Sequence, residues 1–342
     1  MALSTIVLGG YLGAGKTTLL NHLLRHAQGR RIAVMVNDFG DIGIDGDLIE
    51  SSDGEVMNLA GGCICCSVGS DLVAALMALP QRVPPPDLVL IETSGVALPG
   101  SVARGARLAP GIEIDGVVVV VDAETIRLRA ENRHVGDTVL QQLIDADLLV
   151  LNKIDLVDPP TLAVTRQWLA GITARARLIE SLDARVPPEL ILGLADDTEP
   201  SASQSSLLPS ASSSSAGSSS ANTSPGVDLR AGEGRLRPLR AMRAGDRFET
   251  LSFRITGRLD AQTLAAALSD PAQGVLRAKG LVHGINGEAL VIQTVGARSR
   301  VSPAAARLID PDRPARLIVI GLRDTLDARR IEALLNVARR EH

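Results

Sequence analysis

With 342 residues, 45% of them hydrophobic and 22% charged, and a formal net charge of -4, the chain has the composition of an ordinary globular protein long enough for about two domains. The charge balance gives no reason to expect a nucleic-acid partner. No apolar run approaches the ~18 residues of a membrane span, and MALSTIVLGG lacks the basic flank and cleavage site of a secretory signal, so neither membrane contact nor export is expected.

Two residue types are distributed unevenly. Of 35 basic residues only Lys16, Lys153 and Lys279 are lysines, and a planar guanidinium does not replace a slim, compact ammonium where one is needed. All three cysteines, Cys63, Cys65 and Cys66, fall in GGCICC. Packed as C-x-C-C they cannot staple distant segments, so a reducing, cytoplasmic setting is expected.

The first predicted strand, IVLGG, runs into GYLGAGKT and then the helical pattern TTLLNHLLRHA. Strand, glycine-rich loop and helix in this order match a phosphate-binding loop. The backbone N–H groups of Gly13, Ala14, Gly15 and Lys16 and the helix start at Thr17 and Thr18 are expected to face phosphates. Lys16 is expected to reach the β/γ oxygens, and the Thr17 hydroxyl to hold Mg²⁺.

The run RIAVMVN comes next and leads into NDFGDIGIDGDL, where a nucleotide-dependent switch is expected. Asp38, Asp41 and Asp45 are there for Mg²⁺, a transition metal or an attacking water. GGCICC then offers two or three thiolates from one loop. That set suits a tetrahedral borderline ion such as Zn²⁺ or Co²⁺, and its incompleteness favours an exchanging ion over a closed structural site. A redox pair or a buried structural cluster are the other readings of the same cysteines.

Three further runs, DLVLIE, GVVVVVD and DLLVLNK, are near-continuous apolar strands with polar ends. Strands buried on both faces read this way, which predicts an α/β domain with a mainly parallel sheet and functional residues at the strands' carboxyl ends. At one end, ETSG places Glu92 for the Mg²⁺ shell and Gly95 for a backbone contact to a γ-phosphate; the plainer reading of Glu92 is a solvated loop carboxylate. At another, NKID places Asn152, Lys153 and Asp155. An aspartate there accepts from the N1–H and exocyclic amine of guanine, which adenine does not offer, so GTP is expected over ATP.

From Glu199 to Pro225 the composition collapses to serine, alanine and proline, a flexible linker by composition, followed by an arginine-rich connector. From Phe248 the pattern is a strand (ETLSFRI), a helix near 260–268, the strands VLRAKGLVHG, EALVIQTVG and ARLIVIGL, and a closing helix. This predicts a smaller α+β domain with a mostly antiparallel sheet. The boundaries are 1–198 for the nucleotide domain, 199–246 for linker and connector, and 247–342 for the second domain. Nothing in the sequence specifies an oligomeric state.

GYLGAGKTTLLNHLL, VNDFGDIGIDGDLI, GGCICC, IETSG and LNKID, in this order, resemble the CobW-type metallochaperone GTPases, P-loop proteins related to the HypB and UreG maturation factors. RAKG at Arg277–Gly280, with QTVG and LIVIG, resembles that family's C-terminal domain, so the likeness covers nearly the whole chain and accounts for Lys279. The resemblance implies GTP hydrolysis coupled to delivery of a transition metal, zinc or cobalt, to an apo-metalloprotein client. Cys63, Cys65 and Cys66 would be the metal thiolates. Lys16, Asp38 and Glu92 would act around the γ-phosphate, Thr17 and Glu92 would hold Mg²⁺, and Asn152 and Asp155 would contact guanine. The chain departs from the family in having aspartates, Asp38 and Asp41, where glutamates are more usual, and in a linker without histidine. It also shows no clear match to a base-stacking segment around Ser181–Val186. The competing reading is a metal-buffering or metal-sensing protein whose bound nucleotide is not turned over; a P-loop kinase or ATPase is a third, which a preference for ATP would favour.

Overall fold

The computed structural model describes residues 2–27, 29–36, 56–58, 70–193, 248–304 and 315–339. Among them, the seven strands of the first sheet are β1 (Leu3–Gly9), β2 (Ile32–Val36), β3 (Val56–Asn58), β4 (Leu88–Glu92), β5 (Ile112–Asp122), β6 (Leu148–Asn152) and β7 (Arg177–Glu180). They lie in the order β3-β2-β4-β1-β5-β6-β7, and every pairing is parallel. The strands are apolar throughout because both faces are covered, and alternation sends successive residues to opposite sides. Val117, Val119 and Val121 of β5 join one core with Leu149 and Leu151, while Val118 and Val120 join the other with Leu148 and Val150.

The first core lies under helices α2 (Ser70–Ala78), α3 (Pro99–Ala106), α5 (Gly136–Asp145) and α6 (Pro159–Ile172); the short α4 (Ile126–Ala130) follows β5. The second lies under α1 (Lys16–Arg25), through Leu19, Leu20, Leu23 and Leu24, and α7 (Pro188–Leu192). Local chemistry sets where helices begin. Asp158 accepts from the Thr161 N–H at 3.0 Å ahead of two prolines at the start of α6, so one orphan donor of the first turn is satisfied where proline supplies none.

The second sheet comprises β8 (Phe248–Ile255), β9 (Val275–His283), β10 (Ala289–Val295), β11 (Arg298–Pro303) and β12 (Ala315–Leu322), in the order β11-β10-β9-β12-β8 and antiparallel throughout. Helices α8 (Ala261–Leu268) and α9 (Ala328–Ala338) cover one face and close the third core. Asp260 and Asp327 cap them by accepting from Gln262 and Thr263, and from Arg329. Among the described residues no helix is long and apolar enough to cross a membrane.

The serine-rich segment lies outside the described residues, but the two sheets do not hang apart on either side of it. Phe248, Leu276 and Ile320 of the second sheet enter the core under α1 and α7. Around that seam four arginines cross between the sheets, three from the second domain and one from the first. Arg277 is buried; its Nη1 donates to the Leu190 and Ile191 carbonyls at 3.2 and 2.6 Å, and its Nη2 lies 3.6 Å from Asp115. Arg298 Nε reaches Asp147 at 3.0 Å and Arg300 pairs with Glu113. In the other direction, Arg177 of β7 donates to the Ser269 carbonyl at 2.9 Å. A freely tethered second domain, as the linker alone suggested, does not hold for these residues: buried apolar contacts and ion pairs fix it to the first.

Candidate nucleotide site

The carboxyl ends of β4, β1, β5 and β6 are neighbours in the sheet, and each delivers one part of the site. From β1 the chain enters the glycine-rich loop and turns into α1 at Lys16, with Gly15 as cap at φ 105°. That left-handed backbone suits glycine. Space demands it as well, since a Cβ at Gly15 would lie 2.6 Å from Asn152 Nδ2. Gly13 and Thr18 are exposed at the loop and helix start, Lys16 and Thr17 are half-buried, and Ala14 is buried.

Glu92 ends β4 and is only 3% exposed, which removes the reading of a solvated loop carboxylate. Thr17 Oγ1 donates to Glu92 Oε1 at 3.0 Å, so hydroxyl and carboxylate, 75 residues apart, meet at the mouth of the loop. Two hard oxygen donors side by side at the mouth of a phosphate loop fit Mg²⁺. The polar atoms next to them are unsatisfied: Thr93 Oγ1 and Ser94 Oγ are buried and have no hydrogen-bond partner among the described residues. Buried polar groups are nearly always paired, so these two hydroxyls keep bonding capacity that a polar ligand can use. Gly95 follows, buried, its path dictated by close approach: a Cβ there would lie 2.5 Å from Leu12 Cδ2 and 2.8 Å from the Leu12 backbone nitrogen.

At the end of β6, Asn152 is buried and its amide is committed to protein groups. Nδ2 donates to the Ala14 carbonyl at 3.0 Å; Oδ1 accepts from the Ala184 N–H at 2.7 Å and the Ser181 hydroxyl at 3.3 Å. It therefore ties the phosphate loop to the segment 181–186, where the sequence shows no base-stacking match. That segment carries Asp183 and Ala184 in left-handed backbone, at φ 49° and 54°. Its far end is held by His22 of α1, whose Nε2 lies 2.8 Å from the Val186 carbonyl. A carbonyl only accepts, so Nε2 carries the proton. Burial is the main cause holding His22 below its ordinary pKa of 6.5, opposed by this hydrogen bond and aided by the charges of His26, Arg185 and Arg25.

Lys153 follows Asn152 at φ 60°, and its Nζ pairs with Asp122 Oδ2 at 2.7 Å. Asp122 ends β5, and its other oxygen accepts from the Glu124 and Thr125 N–H groups, so one carboxylate fixes both turns. Asp155 stands exposed two residues on. Sequence reasoning did not select Asp122, although it ends an apolar run with a polar residue just as Glu92 and Asn152 do.

The structure thus brings together Gly13, Ala14, Gly15, Lys16, Thr17, Thr18, Glu92, Gly95, Asn152, Lys153 and Asp155 at one edge of the sheet. Asp38, Asp41, Asp45, Cys63, Cys65 and Cys66 lie outside the described residues.

A parallel sheet with a glycine-rich loop between β1 and α1, a hydroxyl–carboxylate pair at its mouth and NKID on a neighbouring strand end define a P-loop GTPase fold. Comparison with known proteins narrows the class: the CobW/HypB/UreG nucleotide-binding domain matches residues 4–180, and the cobalamin synthesis protein cobW C-terminal domain matches residues 248–339. The chain belongs to the CobW/HypB/UreG family. It is 35% identical over 222 residues to the zinc chaperone CobW of Sinorhizobium sp, covering 56% of this chain and 63% of that one. To the zinc chaperone CobW of Pseudomonas aeruginosa it is 34% identical over 229 residues, 58% and 61% of the two chains. To the zinc-regulated GTPase metalloprotein activator 1 of Schizosaccharomyces pombe it is 35% identical over 191 residues, 53% and 46%. The chain spans less than two thirds of the length of these relatives. Among solved structures, the Zn(II)-bound YjiA GTPase from E. coli aligns with 99% of this chain and 100% of its own, at 19% identity and a TM-score of 0.41.

Proposed function

We propose that this protein is a GTP-hydrolysing metallochaperone that takes up a transition metal, zinc or cobalt, at Cys63, Cys65 and Cys66 and passes it to an apo-metalloprotein in the cytoplasm. The observation that carries the nucleotide half is the Thr17–Glu92 hydrogen bond flanked by the orphaned hydroxyls of Thr93 and Ser94. The cargo half is supported by the relatives named as zinc chaperones and by the thiolate chemistry of GGCICC.

In this reading the N–H groups of Gly13 to Lys16 and the start of α1 hold the α- and β-phosphates, and Lys16 neutralises charge at the β/γ bridge. Thr17 and Glu92 hold Mg²⁺, which would supply charge neutralisation on the phosphate oxygens when bound. Asp155 is the exposed carboxylate that recognises the guanine edge. Asn152, its amide committed elsewhere, and Lys153, paired to Asp122, fix the walls around the base. The segment that starts beyond β2, with Asp38, carries the switch; β2 ends at Val36, paired in register with Glu92. Loss of the γ-phosphate relaxes the switch and weakens the thiolate site, and metal moves to the client. For that to happen the GTP and GDP states must differ in metal affinity, because equal affinity shifts nothing. Turnover without a partner is slow, since no arginine is assigned to the γ-phosphate.

Phosphate release from GTP and ATP by the purified full chain tests the nucleotide half: hydrolysis of GTP in preference to ATP, lost in Lys16→Ala, is expected. Preference for ATP would return the chain to the general P-loop ATPases. GTP binding without turnover would leave the metal-buffer reading.

A further inference from the structure

One side chain of α5 ties down the turn that follows β4. Gln142 is 1% exposed and its Nε2 donates one hydrogen to the Gly95 carbonyl at 3.0 Å and the other to the Ala97 carbonyl at 2.8 Å. One turn of α5 later, Asp145 Oδ2 accepts from the Gly100 N–H at 3.0 Å, so the same helix holds the turn and the start of α3. The turn itself is closed by Ala97 N–H donating to the Ser94 carbonyl at 3.1 Å, which leaves Gly95 and Val96 at its centre. From the other side Leu12 of the phosphate loop packs directly on Gly95.

Three further polar groups on this turn are unspent. Thr93 Oγ1 and Ser94 Oγ have no partner, and the N–H of buried Gly95 makes no hydrogen bond among the described residues. Buried amide N–H groups without a partner are rare. A turn with the Gly95 and Ala97 carbonyls both fixed by one amide, and with the Gly95 N–H and two hydroxyls left without a protein acceptor among the described residues, is preorganised for an anionic ligand.

We propose that Gln142 is a positioning residue for the γ-phosphate: by fixing the Gly95 and Ala97 carbonyls it holds the Gly95 N–H where the third phosphate enters, and so sets the difference in affinity between GTP and GDP. This rests on the nucleotide reading above. Gln142 touches no nucleotide; its effect passes through the turn, and a donor that only the triphosphate meets contributes to differential affinity alone. A helix–loop tie of purely structural value would change the affinity for both nucleotides together, or neither.

The test is the Gln142→Leu full chain, which keeps side-chain bulk and loses both donors. Affinities for GTPγS and GDP are measured beside the wild type with Mg²⁺ present. The expected result is a loss of about tenfold or more for GTPγS, with GDP within about twofold. Equal losses for both, or no loss for either, overturn the proposal. Should the variant not fold, amide exchange in the wild type decides: Gly95 and Val96 slowed by GTPγS and not by GDP is the expected pattern, and equal exchange in both states overturns it. A wild type that binds neither nucleotide defeats the nucleotide reading itself, and is seen before any variant is made.

Discussion

Arg277 of β9 donates to the carbonyl of Ile191 at 2.6 Å, so a buried cation of the second domain closes the last turn of a helix in the first. Arg30 does the same from the loop after α1, its two terminal nitrogens donating to the Leu192 and Gly193 carbonyls at 2.6 and 2.5 Å. Two guanidiniums thus satisfy the carbonyls of residues 190–193 that the helix leaves unpaired. Gly193 leaves room for one of them, since a Cβ there would meet Arg277 Nη2 at 2.6 Å.

Arg277→Ala should therefore destabilise the protein by about 3 kcal/mol, because it strands the Asp115 carboxylate and two helix-end carbonyls away from water. Urea denaturation read by far-UV circular dichroism measures it. A loss under ~1 kcal/mol would mean that the seam between the sheets is not a cooperative part of the fold.

Asn152→Ala removes the bond to Ala14 and the two bonds from Ser181 and Ala184 at once. Nucleotide affinity should fall by about tenfold or more, as loop and segment lose their common anchor. Titration with a fluorescent GDP analogue checks this; unchanged affinity would show that the loop holds its shape without Asn152.

Gly95→Ala places a methyl group against Leu12. The side chain of Leu12 can swing away but its backbone nitrogen cannot, so the phosphate loop must shift. The expected outcome is weakened nucleotide binding that Leu12→Ala recovers only in part. Full recovery in the double variant would put the whole conflict on the side chain.

The pH dependence of stability carries the signature of His22. Its folded pKa lies below 6.5, so between that value and 6.5 the unfolded chain binds more protons than the native one and stability rises with pH. Above 6.5 the contribution is complete; as pH falls below 6.5 it is progressively lost, as charging the half-buried imidazole becomes a cost to the folded state. Denaturation midpoints measured from pH 5 to 8 should show a shallower slope in His22→Gln than in the wild type. Identical slopes would contradict the burial of a neutral ring.

Contiguous signals were legible in the sequence. The phosphate loop, ETSG and NKID each sit at the end of an apolar run, and the run marks the strand whose carboxyl end presents them. β7 and β11 were not legible, because edge strands such as RLIE and RSRVSP cover one flank only and mix arginines with apolar residues. Gln142 and Asp122 were hidden for a different reason. Gln142 acts on carbonyls 45 and 47 residues earlier in the chain, and spacing along a sequence does not report contacts made through a fold. The docking of the second domain was likewise masked by the linker's composition, while Arg277, Arg298 and Arg300 looked like members of an arginine-rich chain.

In the proposed function, nucleotide state controls metal affinity at Cys63, Cys65 and Cys66. An anaerobic competition titration of Zn²⁺ into the full chain, with Mg²⁺–GTPγS against Mg²⁺–GDP and repeated on Cys65→Ala, tests it most directly. Tighter binding by about tenfold or more with GTPγS, about 1.4 kcal/mol, and loss of that difference in the variant, is the predicted result. Equal zinc affinity in both nucleotide states would contradict it, because hydrolysis could then drive no release.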